Sequence, residues 1–594
     1  MSYALSRRAV MATLGAAAVP LPALSQSPAG GPDAAFAALS ARWLEMMTRF
    51  SPVSATQLGD HRFDAELDDA SASARAAEVA ATRAVLADLA AIPRNALSRA
   101  NQIDAVILGN ELRYEIWTEE VLQSWAWDPL IYTGLAGEAL YSLMARDFAP
   151  LPDRLVSATG RMEKLPAYLA QARANLDPKR VPLIHAQTAA SQNKGLMGAV
   201  AELITPHAGV LTEAQRQRLE MATAALTAAA AEQQTWFDRT LVPGAKGDFR
   251  LGAKLYDAKL AFVLQSTLSR RDIRARAEAA VIETRAAMYA LASGVLAGRP
   301  GAPAAPPSPT PAEQQAVIKA ALDIAAADHP ARDQVVDAAK SGLAAATAFV
   351  KAKDLITLPE APVEVIIMPE FARGVSVAYC DAPGPLDRRL ATFYAVSPIP
   401  GDWTAARTES FLREYNRRAI DDIATHEAMP GHYVQLAHAN AFPSTLRAVL
   451  SSGPFVEGWA VYAESVMAQE GFLDGDPLYK LVVMKTKLRS ITNAILDQAI
   501  HVDGMTREQA MTLMTQTAFQ EEEEASGKWV RASVSSAQLP YYFVGSEEHW
   551  TIRREAEARW GKDFNLKRYH DTVLSFGSPP ARLAKAAMFD EPIT

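Results

Sequence analysis

Cysteine is nearly absent from this chain of 594 residues, which contains Cys380 alone. A single thiol cannot form an intramolecular disulfide, a cysteine-rich zinc module or an iron–sulfur cluster. An excess of positive charge is also absent: the formal net charge is -8, and no block of Lys and Arg is interleaved with aromatic residues. Because binding to phosphates needs clustered cations, we expect no nucleic-acid partner.

Long hydrophobic runs are missing as well. Beyond residue 25, no segment reaches the roughly 18 uninterrupted apolar residues that a membrane-spanning helix needs, so no span is expected in the mature chain. Hydrophobic residues nevertheless make up 49% of the chain, against 21% charged residues. That balance excludes global disorder and allows a sizeable core.

The N-terminus has the pattern of an export signal. Arg7 and Arg8 precede an apolar stretch over residues 12–24, and small residues stand before Gln26. The adjacent arginines are similar to a twin-arginine signal, so residues 1–25 are predicted to be a signal peptide and the mature protein to be periplasmic or secreted. A membrane anchor is the alternative, but the stretch is short and contains two prolines. No cysteine follows it, so a lipoprotein anchor is not expected.

Helical patterning dominates the rest of the chain. Strong helix formers, or apolar residues at helical spacing, fill several long segments. These segments are residues 34–50, 72–89, 214–237, 270–296 and 311–326. Strand signals are confined to residues 363–368, 375–380 and 391–396. The predicted fold is therefore mainly α, with a small β-sheet shortly before the main motif.

A proline-rich segment divides the chain. Residues 299–311 contain six prolines and are predicted to form a loop. We predict a boundary there between an N-terminal helical half, residues 34–298, and a catalytic half, residues 312–594. The catalytic half also contains four consecutive glutamates, Glu521–Glu524, a run that is typical of a solvated helix face.

One short segment concentrates residues that are suited to metal chemistry. Residues 426–432 have the sequence His-Glu-Ala-Met-Pro-Gly-His, and residues 457–464 have the sequence Glu-Gly-Trp-Ala-Val-Tyr-Ala-Glu. Two imidazoles and the carboxylate of Glu457 are a typical ligand set for catalytic zinc, with a fourth position left for water. Glu427, beside the first histidine, is then placed to act as the general base.

The spacing of the two histidines complicates this interpretation. Ligands four residues apart share a helix face, but His426 and His432 are separated by six, which is roughly 240° around an ideal helix. Pro430 and Gly431 lie between them and favour a kink or a π-type bulge. Such a distortion would return the second histidine to the face of the first. Without it, both are ordinary polar residues that flank a helix end.

At these motifs the chain resembles the bacterial DUF885 family. Its members share a His-Glu-Ala-x-Pro-Gly-His motif and a downstream Glu-Gly-Trp-Ala-x-Tyr-x-Glu motif. A third block keeps the family's register at Arg531, Gln538, Tyr542 and Gly545. This block departs from the family where Ser536-Ala537 replaces Pro-Gly, which puts the local turn in question. Pro52–Asp60 is also similar to the family's N-terminal signature, so the resemblance spans residues 34–594 as one unit.

The resemblance implies a zincin-like, mainly α fold with a deep central cleft, similar to the neurolysin and M32 carboxypeptidase types of metallopeptidase. It implies that His426, His432 and Glu457 bind one zinc ion. It also implies that Glu427 is the general base and proton shuttle. Glu464 lies seven residues after Glu457, on the same helical face, and is a candidate to orient a ligating histidine.

Four further residues are candidates for roles around that centre. Tyr542 is a candidate to donate a hydrogen bond to the oxyanion of a tetrahedral intermediate, with Tyr541 as the adjacent alternative. Arg531 is a candidate for the same role or for binding a substrate carboxylate. Asp422, four residues before His426, is a candidate to orient that histidine. The alternative for each is a buried or hydrogen-bonded side chain with no part in the chemistry.

The predicted function is zinc-dependent hydrolysis of peptide or peptide-like amide bonds in short substrates. The alternative is a non-catalytic periplasmic peptide-binding protein on the same scaffold. The intact Glu427 argues against that alternative, because a binding protein needs no base there. A serine hydrolase is not supported, since no Gly-x-Ser-x-Gly motif is present and Ser546 lacks the second glycine.

Overall fold

The computed structural model describes residues 31–369, 373 and 376–593. Helix accounts for 72% of the chain and strand for 3%, which confirms the prediction of a mainly α fold. The predicted signal peptide, residues 1–25, lies outside the described residues.

The α-helices lie on both sides of the proline-rich loop, and short turns of 3-10 or π-helix extend several of them. Those before the loop are α1 (Pro32–Phe50), α2 (Pro52–Leu58), α3 (Ala72–Ala91), α4 (Arg99–Trp117), α5 (Leu130–Met144), α6 (Leu151–Asn175), α7 (Leu183–Ala199), α8 (Glu213–Trp236), α9 (Val242–Gly244), α10 (Gly252–Leu264) and α11 (Arg270–Leu296). Those after it are α12 (Pro311–Ala326), α13 (Val335–Lys353), α14 (Ala405–Glu414), α15 (Arg417–Glu427), α16 (His432–Asn440), α17 (Thr445–Val449), α18 (Gly453–Glu470), α19 (Pro477–His501), α20 (Arg507–Thr512), α21 (Glu522–Val534), α22 (Pro540–Trp560), α23 (Leu566–Leu574) and α24 (Ala581–Phe589).

The long predicted helices are confirmed. Local capping signals mark the start of several of them. Helices α11 and α12 have the predicted bounds. Each begins with a capping box, formed by Ser269 with Asp272 in α11 and by Thr310 with Glu313 in α12. In each pair, the hydroxyl of the first residue accepts from the backbone amide of the second, and the carboxylate of the second accepts from the backbone amide of the first. Helix α8 begins with a similar box at Thr212, in which the side-chain amide oxygen of Gln215 accepts from the cap amide.

The three predicted strands form one sheet. They are β1 (Val363–Ile367), β2 (Ala378–Asp381) and β3 (Thr392–Val396). Their order is β1-β3-β2, with β3 parallel to β1 and antiparallel to β2. The central strand is buried along its length and shares a hydrophobic core with Ile420 and Ala424 of α15. The sheet therefore supports the helix that carries the first histidine.

The proline-rich loop connects two helices of a common core. Helices α11 and α12 pack against each other and against α19, and the core between them includes Ile273, Leu322 and Ile491. Side chains from both sides of the loop thus contribute to the same apolar cluster. The division into two halves at this loop stays a prediction.

One described helix, α11, is long and apolar enough to cross a membrane by length and composition alone. The core helix of a protein without any span meets the same criteria, so this is weak evidence. Ile273, Ala277 and Met288 of α11 lie in the core shared with α12 and α19. About a quarter of the apolar window, 28%, is buried in this way.

A titratable contact links the N-terminal helices to the segment before β3. The ring of His61 lies between two carboxylates, with Nδ1 3.0 Å from Asp64 Oδ2 and Nε2 2.7 Å from Asp387 Oδ2. It also stacks on Phe148 with a centroid distance of 3.8 Å. Burial lowers the pKa of His61, but the two carboxylates outweigh burial, and the pKa is raised from its usual 6.5.

We expect this contact to stabilise the protein most at low pH. A raised folded-state pKa contributes stability that is present below the unfolded pKa of 6.5 and is lost as the pH rises through the folded pKa. The stability difference between the wild type and His61→Phe, which keeps the stacked ring, should therefore shrink from about pH 6 to about pH 9. Urea unfolding at both pH values measures that difference. A difference that grows with pH would contradict the proposed role of the histidine charge.

Candidate metal centre

The helix that carries the first histidine ends directly after it. His426 and Glu427 are the last two residues of α15, and α16 begins at His432. The predicted kink or π-type bulge is therefore wrong, since two separate helices meet here through residues 428–431. Pro430 cannot extend α15, because it has no amide hydrogen and its ring clashes with the preceding turn.

The link between the two helices is held by close backbone contacts. The Gly431 amide donates to Thr425 O at 2.9 Å, and the Trp459 indole nitrogen donates to Pro430 O at 2.9 Å. A Cβ at Gly431 would lie 1.9 Å from His426 O, so only glycine fits. This approach turns the second helix back, and the two histidine rings come within 4.7 Å of each other between centroids.

Three potential ligand atoms converge at this point. Glu457 of α18 places Oε2 3.6 Å from His426 Nε2 and 3.4 Å from His432 Nε2. The ligand atoms of the three residues lie within 4.8 Å of one another. The structure thus brings together the three residues that the sequence predicts as zinc ligands. Their coordination of a metal stays a prediction.

This donor set fits a zinc ion. The separations match those of ligands that each lie about 2.0–2.2 Å from one shared ion. Burial raises the pKa of the Glu457 carboxyl, but the two facing imidazoles outweigh burial and lower it, so the carboxylate is ionised. Glu457 Oε2 is buried and has no hydrogen-bond partner among the described residues. Leaving such an oxygen without a partner is costly, and a divalent cation removes that cost.

The carboxylate of Glu464 holds the outer nitrogen of the first histidine. It lies two turns after Glu457 on the same face of α18, and its Oε1 is 2.5 Å from His426 Nδ1. With Nδ1 bound in this way, Nε2 of the ring is directed to the other ligands. Asp422, the other candidate for this position, is buried nearby; burial, followed by the charge of Glu464, raises its pKa.

Close packing of two helices brings Tyr542 to the same site. Helix α22 crosses α18 where two glycines meet, since a Cβ at Gly458 would lie 2.2 Å from Gly545 C. At this separation the ring of Tyr542 lies 6.3 Å from that of His426. Arg531 Nη2 donates to Tyr542 Oη at 2.7 Å. Burial is the largest cause that raises the pKa of Tyr542, so the phenol keeps its proton.

The turn before α22 has alanine where the family's motif has glycine. Ala537 occupies the expected glycine position with a φ of 58°, a left-handed conformation that favours glycine. Its amide donates to Asp497 Oδ2 at 2.8 Å, and the Tyr256 hydroxyl donates to the same oxygen at 2.6 Å. With the turn held in this way, Gln538 Oε1 accepts from Arg531 Nη2 at 3.2 Å.

The site opens into a cleft of about 630 Å³. Its lining includes the three candidate ligands, Glu427, and residues 376–380 at the edge strand β2. Cys380 also lines the cleft, but burial, followed by the charge of Glu427, raises the pKa of its thiol. A thiol that stays protonated is a poor nucleophile. Tyr541 is not part of the cleft lining. Its ring packs against Gly453 instead, where a Cβ would lie only 2.5 Å from Cε2 of the tyrosine.

Two cations of the cleft wall are not predicted from the sequence: the partly exposed Arg489 on α19 and the buried Lys528 on α21. Arg489 Nη2 is 2.9 Å from Glu524 Oε1, and the Glu524 side chain is only 11% exposed. The expectation of a solvated face over Glu521–Glu524 is therefore wrong for Glu524. Nothing local in the sequence separates these charges from solvated ones, because packing between α19 and α21 causes their burial.

The family assignment follows from comparison with known proteins. A family model described as "Bacterial protein of unknown function (DUF885)" matches residues 52–588. The chain belongs to the DUF885 family. The match confirms the resemblance seen in the motifs, and it includes every candidate site residue of this DUF885 protein.

Two solved structures are similar to this DUF885 protein over nearly its whole length. A "putative lipoprotein of unknown function" from Shewanella oneidensis is 33% identical with a TM-score of 0.76, and the match covers 93% of this chain and 99% of that chain. A "putative lipoprotein" from Colwellia psychrerythraea is 17% identical with a TM-score of 0.76, over 94% of this chain and 98% of that chain. The second likeness shows the fold alone. No curated protein matches this chain.

Proposed function

We propose that this DUF885 protein is a zinc-dependent hydrolase of peptide or peptide-like amide bonds. The observation that carries the proposal is the convergence of three ligand atoms from His426, His432 and Glu457 within 4.8 Å, in a cleft that Glu427 also lines. Two imidazoles and one carboxylate form the protein part of zinc sites that keep a position open for catalysis. A protein that only binds peptides would have no use for the carboxylate beside this site.

The residues around the centre divide the chemistry between them. Zinc would supply Lewis-acid activation of a water molecule and of the substrate carbonyl. Glu427 accepts a proton from the attacking water and delivers it to the leaving amine nitrogen, first as general base and then as general acid. Tyr542, held by Arg531, donates a hydrogen bond to the carbonyl oxygen as negative charge develops there.

The cleft favours a short, extended substrate. Strand β2 is an edge of the described sheet, since it pairs with β3 on one side, and residues 376–380 line the cleft. An open strand edge can bind an extended peptide through main-chain hydrogen bonds. A cleft of about 630 Å³ is in the usual range for small ligands, which limits the bound segment to a few residues.

We also propose that the protein is exported. The two similar structures are described as putative lipoproteins, and residues 1–25 of this chain have the twin-arginine pattern. Replacing both Arg7 and Arg8 by Lys should therefore leave most of the protein in the cytoplasm, as measured by cell fractionation. A single replacement, Arg7→Lys, serves as the milder control. Unchanged periplasmic accumulation of the double variant would contradict twin-arginine export.

The metal content of the purified protein tests the centre. We expect about one zinc per chain by plasma mass spectrometry and its loss in His426→Ala, because a structural or catalytic zinc needs at least three protein ligands. His438→Ala is the matched control, since Nε2 of this partly exposed ring is 2.8 Å from Thr357 O, outside the cleft. Absence of metal from the wild type after zinc is supplied would exclude the hydrolase and favour the peptide-binding alternative.

A further inference from the structure

Three cations line the cleft beside the candidate metal centre. Arg489 belongs to α19, and Lys528 and Arg531 are three residues apart on one face of α21. All three share the cleft with His426 and Glu457. The Lys528 side chain is 3% exposed and that of Arg489 is 23% exposed. A lysine buried to the degree of Lys528 normally has a close anionic partner.

One carboxylate, that of Glu524, serves two of these cations. Glu524 Oε1 lies 2.9 Å from Arg489 Nη2 and 3.7 Å from Lys528 Nζ, so two cations share one carboxylate. The distance to Lys528 is longer than a hydrogen bond. The other oxygen of Glu524 accepts from the Tyr415 hydroxyl. Lys528 is therefore the cation with the weaker hold on the shared partner.

The neighbouring charged groups do not supply the missing carboxylate. Glu414, the next carboxylate near Lys528, lies 2.7 Å from Lys485 Nζ and is paired there. Glu457 faces the two histidines. Arg531 donates to two neutral oxygens, those of Tyr542 and Gln538. Among the described residues, neither Lys528 nor Arg531 thus has a carboxylate within hydrogen-bond distance.

The ionisation of Lys528 is consistent with a missing counter-ion. Burial is the largest cause that lowers its pKa, and the charge of Arg489 follows. Both effects penalise an ammonium group that has no close anion. A carboxylate brought by a ligand would offset both.

We propose that Lys528 and Arg489 bind a carboxylate of the substrate, so that the cleft selects peptides with a free carboxylate near the cleaved bond. This inference rests on the proposed hydrolase function and names its substrate class. The carboxylate belongs either to the chain terminus or to an acidic side chain, and both present the same chemistry to the two cations. Binding it there positions the neighbouring amide at the metal centre.

Binding to a variant that does not turn over the substrate tests this selection directly. The protein is Glu427→Gln, dialysed against zinc, and affinities are measured by isothermal titration calorimetry. The probes are the tripeptide Ala-Phe-Ala with a free C-terminus, its C-terminal amide, and the C-terminal amide of Ala-Phe-Glu. We expect the free acid to bind at least about tenfold more tightly than its amide, as a charge-assisted hydrogen bond from a buried cation implies. Tight binding of the third peptide would identify a side-chain carboxylate as an accepted source.

Substitution of the lysine assigns the effect to a residue. Adding Lys528→Met to Glu427→Gln should weaken the binding of the free acid by about tenfold, to the affinity of the amide. The affinity for the amide should not change. Lys528→Arg keeps the charge and should retain most of the preference. Lys487→Met is the matched control on α19, because that residue does not line the cleft. Unchanged amide binding in each variant shows that the cleft is still folded.

The outcomes separate this inference from the hydrolase itself. Equal affinity for acid and amide, an equal loss of both in Lys528→Met, or no binding of any probe overturns the carboxylate site. Wild-type turnover of the same peptides is measured in parallel. Turnover without a carboxylate preference leaves the hydrolase standing and removes the carboxylate site. If binding of the free acid depends on the lysine but the wild type does not turn the peptides over, the carboxylate site stands and the hydrolase is removed.

Discussion

Replacing Glu427 by glutamine should abolish nearly all peptide hydrolysis while zinc stays bound. Glutamine has almost the same size as glutamate but cannot accept a proton at neutral pH, so the attacking water loses its general base. Loss of a general base lowers the rate by about 10²- to 10⁴-fold, which corresponds to roughly 3–5 kcal/mol of activation free energy. Glu427 lines the cleft but is outside the converging ligand set. The zinc content should therefore not change.

The measurement is kcat/KM on a panel of short peptides, with zinc content determined on the same preparations. Glu283→Gln is the matched control, because that glutamate is exposed on α11. Full activity of Glu427→Gln with zinc bound would rule out the base. If both activity and zinc are lost in Glu427→Gln, Glu427 is instead needed to hold the metal site together.

Replacing Gly431 by alanine should cost several kcal/mol of folding free energy and weaken zinc binding. The new Cβ would lie 1.9 Å from His426 O, a backbone atom that can move only if the link between α15 and α16 opens. Overpacking costs about 1–3 kcal/mol and occasionally more, and a contact with a backbone atom places this variant at the upper end of that range. Opening the link also separates the two histidine rings, which are now 4.7 Å apart between centroids.

The control for this variant is Gly401→Ala, where a Cβ meets nothing within 4 Å. Urea unfolding and zinc content of the two alanine variants provide the comparison. If Gly431→Ala is as stable as Gly401→Ala and keeps its zinc, the tight contact between the helix ends is not required for the site.

The secondary structure could be predicted well where it depends on local interactions. Helix α12 begins at Pro311 because Thr310 and Glu313 cap each other within one turn, and these residues are neighbours in the sequence. The strand β3 was equally evident from its composition of Thr, Phe, Tyr, Ala and Val. By contrast, the pattern did not specify that β3 lies between the other two strands, since strand order depends on pairing between distant segments.

The residues that meet at the candidate site could be predicted from the sequence, but their geometry could not. The types of residue and their motifs pointed to His426, His432 and Glu457 because imidazole and carboxylate groups are zinc ligands in any fold. The geometry predicted for the histidines is wrong, because it assumes one continuous helix, in which only a kink or a bulge brings residues six apart to one face. The chain instead ends one helix and starts another, which depends on the fit of Gly431 against the backbone of α15.

The mainly α fold, the ends of helices such as α11 and α12, and the identity of the side chains at the candidate site follow from the residue order alone. Propensity and capping are properties of residues and their near neighbours. Three relations depend on the packing of the helices: Glu464 holds His426, Tyr542 reaches the site, and Lys528 and Arg489 share Glu524 inside the cleft. These relations join helices far apart in the chain. The strength of a charge interaction and the cost of burying a charge depend on distance and solvent exposure. Both are fixed only when helices pack, as α18 and α22 do through Gly458 and Gly545.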